Sequence, residues 1–197
     1  MKFLFDLGGV FFDWDPNHFF KDIFDKIEER EYFLNEVCND EWNIQQDAGR
    51  TIKEAEAVLI PKFPQYEKQI KMYYQNHRKM IRGTFNSSIK VLDKLKKKNY
   101  ECYVLSNWSA ETFVGMTDDY PFLQSFNGLL ISGEDNLMKP DAAIYELAIS
   151  RFNLIPQETV FIDDKLENIE AAKKLNLKTI HLVDPNIIEL EIDKFLV

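Results

Sequence analysis

The chain is poor in the residues that mark several function classes. Only two of its 197 residues are cysteines, Cys38 and Cys102. That excludes a disulfide framework, and their spacing fits no cysteine metal motif, so both read as buried thiols in a reducing compartment. Positive charge is also scarce. Lys and Arg number 24 against 33 Asp and Glu, a formal net charge of −9. Such a balance argues against a nucleic-acid or anionic-membrane surface, and neither is expected as a partner. No apolar run approaches the length of a membrane span. The apolar start is interrupted by Asp6 and has no signal-peptide layout, so the expected location is cytoplasmic. Neither an internal repeat nor a low-complexity linker divides the chain.

What is present is an ordinary globular composition, 45% hydrophobic and 29% charged, long enough for one core with a small insert. Aromatics at 14% fit either a large core or an interface, which leaves the oligomeric state open. The informative stretch is the first ten residues. Phe3–Phe5 reads as a strand apolar on both faces, as in a parallel sheet. Asp6 ends it, at the carboxyl edge where open α/β sheets bind ligands. Gly8 and Gly9 permit a tight loop whose N–H groups can turn toward an anion. On these residues alone, Asp6 is either a nucleophile or metal ligand beside an anion cradle, or the close of an ordinary turn.

Three later stretches have the same build. Tyr103-Val104-Leu105 ends in Ser106-Asn107. Gly128–Ile131 leads through Ser132-Gly133 to Lys139-Pro140-Asp141. Val160-Phe161-Ile162 ends in Asp163-Asp164. Parallel strands bring such ends to one rim of the sheet. The fold class expected is α/β, a Rossmann-like parallel sheet.

Residues 17 to about 83 interrupt this alternation with helical patterns. Phe19, Phe20, Ile23, Phe24 and Ile27 predict a helix over 17–30, and a second is expected over 31–43. Asp47-Ala48-Gly49-Arg50 break the pattern. Thr51 with Glu54 is a capping box opening a helix toward Ile60, and a long helix is predicted over 65–81. Downstream, the pattern predicts helices at 88–98, after Ser109, at 142–152 behind an Asp141 cap, and at 165–175. Strands are expected at 101–106, 127–131, 159–163 and 178–182. Glu134–Asn136 falls in a predicted loop.

In order and spacing, the four strand-end motifs resemble those of the haloacid dehalogenase superfamily of hydrolases, most of which are phosphatases. Asp6-Leu7-Gly8-Gly9-Val10 and Leu105–Phe113 look like a branch that includes sugar-phosphate phosphatases. The resemblance implies a core formed by residues 1–13 and 86–197, with residues 14–85 as a helical cap inserted after the first motif. Asp13–Pro16 and Gly83–Ser87 would be its hinge strands. It implies that Asp6 is a nucleophile forming an aspartyl-phosphate, with Lys139 as the second catalytic residue. The phosphate would be held by Leu7, Gly8, Ser106, Asn107 and Lys139. Mg2+ would be held by Asp6, the Gly8 carbonyl, Asp163 and Asp164, with Asn168 orienting Lys139 or a metal-bound water. The implied partner is a small phosphorylated metabolite, such as a sugar phosphate.

The chemistry demands such a site. A phosphate dianion facing a carboxylate costs about 4 kcal/mol per charge pair at ~4 Å and an effective dielectric near 20. Cations must offset that. Three carboxylates suit a hard divalent ion, and Lys139 adds a fixed ammonium.

One position departs from the family pattern. Gly8 stands where most phosphatases of the family carry a second Asp that protonates the leaving group. General acid–base help is worth roughly 10²–10⁴-fold. Three explanations are open. The leaving group needs little protonation, another acid such as Asp13 or Asp47 serves, or the chemistry differs. The last includes a metal-independent 2-haloacid dehalogenase, against which the Asp163-Asp164 pair argues, and a non-catalytic phosphate- or metal-binding module, which Gly8 alone supports. For the substrate, the cap region offers Trp42, Asp47, Arg50 and His77, and the core offers Trp108. The plainer alternative keeps each Trp in a core and Arg50 on the surface.

Overall fold

A computed structural model describes residues 1–196. Five parallel strands form the main sheet, in the order β5-β4-β1-β6-β7. In chain order the elements begin with β1 (Lys2–Phe5), β2 (Phe12–Trp14), α1 (Asn17–Phe20), α2 (Ile27–Tyr32), α3 (Asp40–Asp47), α4 (Ile52–Leu59) and α5 (Glu67–Gln75). Then come β3 (Ile81–Thr84), α6 (Asn86–Lys97), β4 (Glu101–Ser106), α7 (Ala110–Phe113), α8 (Met116–Asp119) and β5 (Gly128–Ile131). The chain closes with α9 (Ser132–Asp135), α10 (Ala142–Arg151), β6 (Thr159–Asp163), α11 (Leu166–Lys174), β7 (Lys178–His181) and α12 (Ile188–Asp193). Among the described residues no helix is long and apolar enough to cross a membrane.

Central strand β1 pairs with β4 on one side and β6 on the other. Its side chains alternate between two cores, as the period of a strand requires. Phe3 and Phe5 join Val104, Val160 and Ile162 beneath α6 and α12, against Val91, Leu92, Leu95, Ile188 and Ile192. Leu4 joins Leu105 and Phe161 beneath α10 and α11, against Ile144, Tyr145, Ala148 and Ile169. A fully buried Phe or Leu of this kind contributes about 1.5–3 kcal/mol. Both faces of the sheet are thus covered, and the rim at the strand ends is left for polar groups. Cys102 lies in the first of these cores, and its thiol is pushed up to about 12 by burial.

Between β2 and β3 the chain is helical and has its own core of Phe19, Phe20, Phe33, Trp42, Leu59, Ile70, Tyr73 and Met80, among others, with Cys38. β2 and β3 pair antiparallel and carry the chain into and out of this unit. The ribbon runs Phe12–Trp14 and Ile81–Thr84, overlapping the hinge segments expected at 13–16 and 83–87 but starting slightly before each.

Helix boundaries here differ from the expectation. The 17–30 helix ends at Phe20; after a turn, Lys26 is extended, at φ −111° and ψ 131°, and α2 starts at an exposed Ile27. The 31–43 helix is interrupted by Asn39, whose side chain accepts the Trp42 N–H at 2.9 Å and caps α3. The 65–81 helix stops at Asn76, with one short 3₁₀ turn before β3. The Thr51–Glu54 capping box forms as expected. In the core, Ser132–Asp135 make a helical turn instead of a loop. Ser109 and Asp141 precede α7 and α10 but give no side-chain cap. The helix expected at 88 starts at Asn86, and the Ser88 hydroxyl donates to the Val10 carbonyl at 2.6 Å.

Candidate active site

The sheet register assembles the rim. Phe5 is level with Val104 and Ile162, Ser106 with Ile131, and Asp163 with His181. The residues that follow or end these strands therefore meet at one edge. Ser106 donates its hydroxyl to Asp6 Oδ1 at 2.7 Å. Lys139 Nζ lies 2.9 Å from the same Asp6 oxygen and 2.7 Å from Asp163 Oδ2. Lys139 is 1% exposed and Asp163 is fully buried. A buried ammonium is tolerable only with such partners. Burial alone would lower its proton affinity, but Asp163 and Asp6 outweigh that and hold it above the usual lysine range.

Asn107 fixes the Lys139 backbone from both sides. Its Nδ2 donates to the Lys139 carbonyl and its Oδ1 accepts the Lys139 N–H, each at 2.8 Å. Asn168 donates Nδ2 to both Asp163 oxygens at 3.0 Å, and the Lys165 N–H donates to Asp163 Oδ1 at 2.8 Å. Asp163 is thus saturated by hydrogen bonds and anchors Lys139. Asn168 Oδ1 is buried with no hydrogen-bond partner.

Asp164 is different. Its backbone carbonyl meets His181 Nε2 at 2.9 Å, while its half-buried carboxyl is pushed up to about 6 by burial, Asp6 and Asp163. A β-carbon on Gly9 would come within 2.5 Å of that carboxyl, so the absence of one, at φ +65°, lets the first loop approach it. Burial, with Asp163 nearby, also holds the Asp6 carboxyl above its ordinary range despite Lys139 and Ser106. Asp6, Asp163 and Asp164 each present one oxygen in a group spanning no more than 4.8 Å, a set that could hold a metal ion. These donors fit a hard divalent cation. They are all carboxylate oxygens, and one ammonium opposes three acids. At the start of the cradle, the Gly9 N–H is engaged by the Phe12 carbonyl at 3.1 Å. Around Gly8 there is space, since a β-carbon there would meet nothing within 4 Å.

The cap-region candidates separate into two groups. Trp42 lies in the helical core and donates Nε1 to the Ala55 carbonyl at 3.2 Å. Arg50 binds Gln46 Oε1 at 2.6 Å and the Trp42 carbonyl at 2.8 Å, so its guanidinium braces the end of α3. Trp42 follows the plainer expectation, whereas Arg50 is half-buried along α3 and not on the open surface. Trp108 packs in the core, bonded to Thr112 Oγ1 at 3.0 Å. His77 is buried between Trp14 and Trp108, and burial and Arg78 push it down to about 4. It lines a cavity of about 220 Å³ with Ile52, Tyr74, Arg78 and Glu111.

Asp13 is held by His18 at 3.0 Å and by Arg82. Burial raises its proton affinity, but those bonds prevail and keep its carboxyl below the usual range. Asp47, at the end of α3, faces the rim. Its carboxyl is pushed up to about 7 by burial, with Lys165, Ser109 and Lys139 pulling it down and Asp6 pushing it up. Ser132, which sequence reasoning did not single out, links Asp47 to the core. Its hydroxyl donates to the Asp47 carbonyl at 2.6 Å and accepts the Trp108 N–H at 2.9 Å. Its only advance signal was its place after a strand.

Comparison with known proteins agrees with this architecture. The chain is 26% identical over 190 residues to a sesquiterpene phosphatase of Aspergillus oryzae, covering 92% of this chain and 89% of the relative. It is similar to a haloacid dehalogenase family enzyme of Bacteroides thetaiotaomicron, solved in complex with magnesium and inorganic phosphate. That match has a TM-score of 0.69 and 26% identity over 91% of this chain and 92% of the other. A predicted hydrolase of the same fold from Porphyromonas gingivalis superposes with a TM-score of 0.74 at 21% identity, covering 100% and 98%. Residues 3–182 match the family model described as haloacid dehalogenase-like hydrolase, and the chain belongs to that family of hydrolases.

Proposed function

We propose that the protein is a Mg2+-dependent phosphatase of small phosphorylated metabolites, acting through an aspartyl-phosphate on Asp6. The observation that carries this reading is the junction of Asp6 with Ser106, Lys139 and an acidic cluster at the rim. Two relatives point the same way, one named a phosphatase and one solved with magnesium and phosphate.

In this reading Asp6, Asp164 and the Gly8 carbonyl hold the cation. Asp163 contributes chiefly through Lys139, because its oxygens are already taken. Bound Mg2+ would neutralise charge on the phosphate and on the carboxylates. Lys139 and the Ser106 hydroxyl keep one Asp6 oxygen fixed and the other directed at phosphorus, which is the positioning that phosphoryl transfer requires. Lys139 also offsets one charge of the approaching phosphate. The N–H groups of Leu7, Gly8 and Asn107 complete the anion cradle. Residues 14–85 act as a cap that keeps bulk solvent from the site while the phosphoryl group moves to Asp6. With Asp6 only 7% exposed, entry of an ester requires that cap to move.

The competing dehalogenase reading has no use for an acid such as Asp164, whose carboxyl has no cationic partner within ion-pair distance among the described residues. A chromogenic phosphate ester and a 2-haloacid, each assayed with Mg2+ and with EDTA, separate the two. Phosphate release that EDTA abolishes is the expected result. Halide release indifferent to EDTA would replace this reading.

A further inference from the structure

The site lacks a proton donor where the family pattern expects one. Gly8 has no side chain, and the space beside it is open. Asp13, the next acid in the sequence after Asp6, is committed to His18 and Arg82. We propose that Asp47, delivered by the C-terminal end of α3, is the general acid and base of the phosphatase reaction. The inference rests on the phosphatase reading and adds the group that this reading leaves unassigned.

The placement is built rather than incidental. The Ser132 hydroxyl joins the Asp47 carbonyl to the Trp108 N–H. Trp108 lies two residues past Ser106, which is itself bonded to Asp6. One short chain of contacts therefore ties the end of α3 to the nucleophile. Gly49, at φ +100°, has no β-carbon, and one there would overlap the Asn136 side chain. That lets the turn after Asp47 seat against the end of α9. Glu111 Oε1 accepts the Ile52 N–H at 2.7 Å and fixes the far side of the same turn. The carboxyl feels Lys165, Lys139 and Asp6, and burial keeps it protonated to about 7. An acid with its proton affinity near the operating pH is the efficient kind.

The steps balance. As Asp6 attacks phosphorus, the bond between phosphorus and the ester oxygen breaks. The Asp47 carboxyl gives its proton to that oxygen, and the alcohol leaves. The Asp47 carboxylate then takes a proton from water, whose oxygen attacks the phosphorus of the acyl phosphate. The bond from Asp6 to phosphorus breaks, releasing inorganic phosphate and restoring both aspartates to their starting forms.

The experiment compares p-nitrophenyl phosphate, whose leaving group needs little protonation, with an alkyl phosphate, whose leaving group needs a proton. With Mg2+ present, Asp47→Asn should lower kcat for the alkyl ester by about 10²–10³-fold. The loss on the aryl ester should be below about tenfold, since departure there draws little on an acid. Adding Gly8→Asp to Asp47→Asn should restore at least about tenfold on the alkyl ester, because it puts an acid where the family pattern has one, in open space. Equal losses on both esters, no loss on either, or failure of the second substitution to restore any activity overturns the assignment. A wild type that splits neither ester overturns the phosphatase reading itself. A wild type that splits both, dependent on Asp6, with Asp47→Asn slowing both alike, overturns only the role of Asp47.

Discussion

At the scale of single residues, the two members of the acidic pair do different work. Asp163 is fully buried and accepts from Lys139, Asn168 and the Lys165 N–H. Removing its charge leaves Lys139 short of a partner, and breaking a buried pair of this kind costs about 3–5 kcal/mol. Asp163→Asn should therefore lower the denaturant midpoint of the metal-free protein markedly. Asp164 is half-buried, with a carboxyl that burial and its acidic neighbours destabilise in the charged form. Asp164→Asn should leave metal-free stability equal or higher, while raising the Mg2+ concentration needed for half-maximal turnover at least about tenfold. Equilibrium denaturation and a magnesium titration together distinguish the pair. Similar effects from both substitutions would contradict the division. These roles were only partly legible in the sequence. Asp6, Lys139 and the pair stand out because strand ends in a parallel sheet converge. Which acid anchors the lysine depends on rotamers and on Asn168, which a residue string does not encode.

At the scale of elements, the helical insertion is joined to the core by a few polar contacts beside the β2–β3 ribbon. Arg78 binds Asp119 and the Thr112 and Val114 carbonyls, while Glu111 and Ser132 hold the turn around Asp47. Gly49→Ala places a β-carbon against Asn136 at a left-handed backbone position. It should destabilise the fold by about 1–3 kcal/mol and weaken turnover of alkyl esters more than binding of Mg2+. Asn136→Ala in that background removes the collision and should recover part of the lost melting temperature. No recovery would mean that the turn is not seated there. Element existence was legible where periodicity or capping chemistry was strong, as in β1, the Thr51–Glu54 box and α6. Boundaries inside the insertion were not. The apolar spacing of Phe19, Phe20, Ile23, Phe24 and Ile27 runs on past Phe20, where α1 ends, and nothing in it marks that stop or the extended Lys26. Asn39 and Asn76 did carry a signal, since asparagine competes with the helix for backbone hydrogen bonds. The seat of Asp47 over Ser132 was illegible, because it joins residues 85 apart.

At the scale of the whole molecule, charge governs both stability and substrate approach. The net charge of −9 repels a phosphorylated ester at long range. Screening by salt should therefore raise kcat/KM a few-fold between about 10 and 150 mM ionic strength, the opposite of a steered enzyme. Asp47 and Asp164 have proton affinities raised from 3.8 to about 7 and about 6. The folded state then binds more protons than the unfolded state between about pH 4 and 7, so stability falls as pH rises through that window. Thermal melts of the metal-free protein should show this fall, and Asp47→Asn should flatten it. Added Mg2+ should oppose it, by about 2.7 kcal/mol at a hundredfold excess over Kd. The central claim, that Asp6 takes up the phosphoryl group, has one direct test. The enzyme is mixed with an excess of phosphate ester and Mg2+, quenched in acid during turnover, and digested for mass spectrometry. The account predicts an alkali-labile phosphate on the peptide containing Asp6, absent with EDTA and absent in Asp6→Asn. Steady turnover with no label on that peptide, or turnover retained in Asp6→Asn, would contradict it.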